Sequence, residues 1–146
     1  MMDSRALMYS GYGDTLNYGF ADLAGAAEAY RKALRYQPGE KMLTFQYVEA
    51  LYEQSCFREG LAAMEDLWRR TPHDLDVLII LAHLYWCENE GAVALKHAFE
   101  CIHRCEQSDY RLNTWIRDPD YYLSARSLIE EILIAGEDIG SGFVVN

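Results

Sequence analysis

AEAYRKALRYQP, residues 27–38, is the stretch that decides the fold. Its apolar positions Ala27, Tyr30, Ala33 and Leu34 recur at helical spacing, and Pro38 stands just past them, where it ends a helix without breaking one. Counted forward by 34 residues, the same columns return. Ala26, Gly60 and Ala94 form one column, and Ala27, Leu61 and Leu95 the next. Tyr30, Met64 and Ala98 follow, then Ala33, Leu67 and Cys101, then Leu34, Trp68 and Ile102. Pro38 and Pro72 keep the interval, while Glu106 holds that place in the third copy and makes a weaker stop. A fixed period of this length signals an array of helical units, each burying its apolar face against its neighbours.

AAMEDLWRRTP at 62–72 and LAHLY at 81–85 extend the pattern. Together with the first stretch they resemble the tetratricopeptide family, whose unit is a 34-residue pair of antiparallel helices, A and B. The resemblance implies an all-α fold: a right-handed superhelical stack of about three helix pairs. The periodicity predicts helices near 5–18, 22–36, 41–54, 58–70, 75–88 and 91–106, with repeats of about 5–38, 39–72 and 73–107 in one domain over 1–146. The first helix fits least well. Tyr12, Gly13 and Leu16 match Leu81, Ala82 and Tyr85 only after a one-residue slip, and Gly11 and Gly13 each cost about 1 kcal/mol inside a helix.

Beyond Gln107, Asn113 and Asp118-Pro119 mark a connector over 108–118. A seventh helix over 119–135 carries Leu123, Leu128, Ile129 and Ile132 at helical spacing and suits a cap on the last repeat, which helical arrays need for solubility. The last stretch, 136–146, has three glycines and Phe143-Val144-Val145 and reads as a flexible tail.

The chain has 146 residues, 51% of them hydrophobic, and a formal charge of −10. That charge disfavours nucleic acid and anionic membrane surfaces as partners. Residues 1–10 hold one Arg and no apolar run of signal-peptide length, and no stretch approaches the roughly 18 apolar residues of a membrane span. A cytoplasmic protein without membrane insertion is expected. Cys56, Cys87, Cys101 and Cys105 lie within helical patterns rather than in a loop-rich framework, so reduced thiols are expected.

The resemblance places a concave groove along the A helices. Its lining would be Met42, Phe45, Glu49, Tyr52 and Glu53, then Asp76, Ile79, His83, Trp86 and Cys87. That mixture suits an extended segment with apolar anchors and some basic residues. In the alternative, Phe45 and Ile79 pack between helices and only Tyr52, His83 and Trp86 are reachable. One subgroup of the family grips a C-terminal carboxylate with paired Lys and Asn. The matching places here hold Phe45, Glu49, Ile79 and His83, and an acidic side chain repels a carboxylate.

His97, Cys101 and Cys105 fall along one side of a helix, with His103 and Cys87 near. Zinc sites usually pair ligands across a tight turn, and Cys101 shares its column with Ala33 and Leu67, so a structural cysteine is the expectation and no metal or other cofactor. Glu130-Glu131 and Glu88 with Glu90 are paired carboxylates that need burial to catalyse. Gly11-Tyr12-Gly13 follows no strand, and no nucleophile elbow is present, so no catalytic residue is assigned.

By architecture, size and charge the chain resembles the class II chaperones of bacterial type III secretion, which hold a secreted, aggregation-prone client in the groove. The other reading is a scaffold or assembly subunit, including a homodimer, that uses its convex or C-terminal surface with Trp115, Tyr121 and Tyr122.

Overall fold

Helix-forming runs separated by capping and turn residues fold into seven α-helices in a computed structural model, which describes residues 1–107 and 119–139. They are α1 Ser4–Asp14, α2 Leu23–Tyr36, α3 Lys41–Glu53, α4 Phe57–Arg70, α5 Leu75–Cys87, α6 Gly91–Gln107 and α7 Pro119–Ile139. No strand occurs among the described residues. Side-chain carboxylates cap four of the helices: Asp3, Asp22, Glu40 and Asp74 accept from the backbone N–H of Arg5, Gly25, Leu43 and Asp76. Such caps satisfy donors that have no partner inside the helix.

The chain divides into two compact units, Met1–Pro72 and His73–Asn146. The division falls immediately after the second proline stop. The first unit therefore holds two helix pairs, and the second holds the third pair with α7.

The 34-residue columns are the core of the B helices. Ala26, Gly60 and Ala94 are buried, as are Tyr30, Met64 and Ala98, and Ala33, Leu67 and Cys101. Leu34, Trp68 and Ile102 are half-buried in all three copies. The B helices end alike too: the N–H of Gln37 bonds Ala33 O, and 34 residues on the N–H of Thr71 bonds Leu67 O, with Pro38 and Pro72 next.

The turns from A to B helix repeat more closely than the sequence shows. Ala21, Ser55 and Asn89, spaced by 34, all hold a positive φ, of 52°, 60° and 61°. This left-handed conformation costs a non-glycine residue about 1 kcal/mol, and Asn bears it best. In the second and third turns the N–H of Cys56 and Glu90 bonds the carbonyl five residues back, Leu51 and Tyr85, each at 2.9 Å. In the first, Asp22 N–H reaches Leu16 O, six residues back, at 2.8 Å. The extra residue is taken up by a π-helical turn, Thr15–Gly19, which continues α1.

That turn is where the one-residue slip is taken up. Before it α1 runs one residue off the 34-residue step, so Leu16 stands where Leu51 and Tyr85 stand and Gly13 where Val48 and Ala82 are buried, while Tyr12 is exposed. Gly13 is required by packing. A Cβ there would stand 2.6 Å from Cε1 of the Tyr30 ring, closer than atoms approach without displacement.

In the second unit α5 buries Val77, Leu78, Ile79, Leu81, Ala82 and Leu84. α7 lies against both α5 and α6 and buries Ala125, Leu128, Ile129 and Ile132, a spacing of three and four residues. Each such Leu or Ile contributes about 1.5–3 kcal/mol on burial. α7 runs to Ile139 rather than stopping at 135, because Gly136 falls on the same face and is itself buried. The 108–118 connector, the Leu123 side chain and residues 140–146 lie outside what is described.

Candidate functional site

Within the first unit the A helices present one side outward. On α3, Met42 is 61% exposed and Tyr52 is 50% exposed, with Glu49 and Glu53 exposed beside them. Phe45 is half-buried, with the Lys41 ammonium 5.6 Å from its ring centroid. Tyr52 meets the edge of Phe57 at 5.3 Å between ring centroids, which props its ring from the start of α4. The spacing of these five positions places them along one side of a helix, opposite buried Leu43, Ala50 and Leu51.

The corresponding face of α1 is exposed as well, and reasoning from sequence left it out. Subtracting 34 from Met42, Phe45, Glu49 and Tyr52 gives Met8, Gly11, Thr15 and Tyr18. Met8 is 59% exposed and Tyr18 is 72% exposed, while Gly11 and Thr15 are open to solvent. The doubtful register of α1 hid the signal.

A polar key holds α1, α2 and α3 together. The Tyr30 hydroxyl donates to Asp14 Oδ1 at 2.7 Å, and Gln46 Nε2 donates to the same oxygen at 3.0 Å. Burial, and then the Asp14 carboxylate, push the Tyr30 hydroxyl well above its ordinary pKa. The phenol therefore stays a donor, and the two methionine and tyrosine rows of α1 and α3 lie on neighbouring helices.

In the second unit the expected positions fall differently. Ile79 is only 7% exposed, so it belongs to the core and not to a groove. α5 is apolar nearly all round and is packed by both α6 and α7, which leaves this position no open side. Asp76, Trp86 and Cys87 are half-buried, and His83 keeps an exposed edge. Neighbouring atoms nevertheless desolvate the His83 ring and lower its pKa, with Glu131 of α7 pulling the other way.

Cys101 is fully buried, and burial, followed by the neighbouring Cys105, pushes its thiol up to about 12. A protonated thiol is a poor metal ligand. The His97 ring is turned edge-on to Tyr85 with centroids 5.2 Å apart. Among the described residues no three His, Cys, Asp or Glu side chains are grouped to hold a metal ion. The four cysteines, all among the described residues, form no disulfide. Among the described residues, no helix is long and apolar enough to cross a membrane. Glu130 is exposed, at 3.5 Å from Arg126.

Antiparallel helix pairs on a 34-residue step, with a repeated left-handed turn, define an all-α helical-repeat fold of the tetratricopeptide type. A solved structure of the MamA RS-1 ArsTM double mutant, itself a tetratricopeptide protein, shares this fold at a TM-score of 0.60. The two are 14% identical, and the match covers 95% of this chain and 80% of that one. No protein-family model matches the chain, and no curated protein does.

Proposed function

We propose that this protein is a non-catalytic, cytoplasmic binding module that holds a segment of another protein against the A helices of its first unit. The observation that carries this reading is the pair of rows Met8 with Tyr18 and Met42 with Tyr52. These are four large side chains, each at least half exposed, on the A helices of two adjacent repeats, α1 with its π-helical turn and α3. Water-exposed apolar groups arranged in rows are costly to a free protein and fit a surface used for association. Methionine adapts to irregular partners, and tyrosine offers a broad ring with a polar tip. Glu49 and Glu53 add a place for a basic residue of the partner.

Within this reading the protein acts as a secretion-type chaperone. By covering apolar anchors of a client before export, it keeps the client from aggregating. The size, the acidity and the repeat architecture support that role.

The test is capture of partners by wild type and by a Met42→Ser, Tyr52→Ser double variant of equal melting temperature, with bound proteins identified by mass spectrometry. A client held by wild type and lost by the variant, whose aggregation wild type suppresses, is the expected result. Equal retention by both would move the function to another surface.

One observation favours such a surface. Leu133 and Ile134 are exposed on the outer side of α7, where a scaffold contact or a homodimer contact would form. Trp115 and the side chains of Tyr121 and Tyr122 lie outside the described residues. In this scaffold reading, Leu133→Ser and Ile134→Ser change complex formation while the α3 variants do not.

A further inference from the structure

The first unit has a second exposed surface with a different chemistry. On α3, Tyr47 packs on the buried core that α2 contributes, while Gln46 reaches back to α1 through its bond to Asp14. Counted across the π-helical turn, the equivalent of Tyr47 on α1 is Tyr12, 35 residues earlier, which is 57% exposed and is covered by no described helix. Tyr12 thus marks the side of α1 on which the repeat geometry would place one more helix.

Next to it runs a ladder of rings and cations. The Arg5 guanidinium lies 4.4 Å from the centroid of the Tyr36 ring. Tyr36 stacks on Tyr9 with centroids 5.9 Å apart and planes within 3° of parallel. The Lys32 ammonium stands 5.8 Å from the Tyr9 centroid. Arg5 also pairs with Asp3 at 3.4 Å, and Glu28 is engaged by Arg31 at 2.8 Å. Among the described residues, Lys32 and Arg35 have no carboxylate within ion-pair distance. The contrast with the rest of the chain is large. Residues 1–36 hold four acidic and four basic side chains, a net of zero, in a protein whose formal charge is −10.

We propose that this edge of the first unit, formed by Arg5, Tyr9, Tyr12, Lys32, Arg35 and Tyr36, docks an acidic amphipathic helix of a partner protein. The occupant is a helix because the edge continues the packing by which α3 meets α2. It is acidic because Lys32 and Arg35, which make no ion pair among the described residues and feel Glu28 only at longer range, flank the rings, and an interface selects a partner of opposite charge. Its apolar stripe covers Tyr12 and the exposed edge of Tyr36, while its carboxylates reach Lys32 and Arg35. Met8, three residues after Arg5 and four before Tyr12 on α1, borders this surface, while Met42 and Tyr52 lie on α3.

The probes are two helix-stabilised peptides of about 18 residues with one leucine stripe. One has glutamates flanking the stripe and the other has lysines. The full chain is titrated with each, and amide shifts locate the contact. The glutamate peptide is expected to bind, against the overall charge, with shifts at Tyr9, Tyr12 and Lys32. Its affinity should fall about tenfold in a Lys32→Glu, Arg35→Glu variant and stay unchanged in Tyr52→Ala. Circular dichroism shows that the variant is folded. Stronger binding of the lysine peptide, no binding of either, or an unchanged affinity in the charge-reversed variant would overturn the proposal. So would a single-stranded oligonucleotide that binds through these residues where the glutamate peptide does not.

Discussion

α1 and α5 occupy the same place in their repeats, yet they are held in opposite ways. α5 buries six apolar residues and is covered by α6 and α7. α1 buries only Ala6 and Gly13 and is fixed by the carboxylate of Asp14, which accepts from Tyr30 and Gln46. The A helix of the third repeat is a piece of core, whereas that of the first is a surface secured by a few polar bonds. The repeat interval sets where the helices lie. What packs on them sets what each face can do.

The largest effect that sharpens this comparison lies in the cap. Ile132→Ala on α7 removes a fully buried side chain and is expected to cost about 2–5 kcal/mol, measured by denaturant unfolding. An equivalent loss in the second unit from truncating an exposed α7 residue such as Leu133 would break the assignment of faces.

Gly13→Ala comes next. The added methyl meets the Tyr30 ring at 2.6 Å and should cost about 1–3 kcal/mol, while Gly11→Ala, with nothing within 4 Å, should be neutral or slightly stabilising. Equal costs at the two glycines would contradict the packing of Gly13 against Tyr30.

Tyr30→Phe tests the polar key and should cost about 1 kcal/mol. The pH dependence has a definite sign. Tyr30 is neutral in the fold with its pKa raised above the ordinary value of 10.0. Its contribution is therefore complete below that value and is lost as pH rises above it. Stability followed by chemical melts should fall above about pH 10 more steeply in wild type than in Tyr30→Phe.

The smallest effects are at the left-handed turns. Ala21→Gly and Ser55→Gly should stabilise by about 0.5–1 kcal/mol, and Asn89→Gly by only a few tenths, read from melting temperatures. Equal gains at all three would mean that the side chain of Asn89 contributes nothing to its turn.

Much of the fold is legible in the sequence because the 34-residue columns are small or aliphatic in every copy, and the prolines mark the helix ends. The left-handed turns are not, since Ala21, Ser55 and Asn89 share no side-chain signature. Nor is the π-helical turn, because Gly11 and Gly13 just before it resemble a helix defect. Gly136 looks like a helix stop and is instead buried within α7. Of the groove expected from the resemblance, Met42, Glu49, Tyr52 and Glu53 are exposed together on α3, whereas Ile79 is lost to the core. The run LIILAHLYW at 78–86 is apolar on every side, so its sequence holds no stripe to separate core from surface.

The account rests on the outer face of α1 and α3 being a surface that another protein covers. The direct measurement places a photo-crosslinking amino acid singly at Tyr18, Tyr52 and Phe99 in the native cell and follows adducts by mass. Phe99, exposed on α6, serves as the control. The account predicts a shared protein adduct from Tyr18 and Tyr52 and none from Phe99. An adduct from Phe99 alone, or none from the two tyrosines, would contradict it.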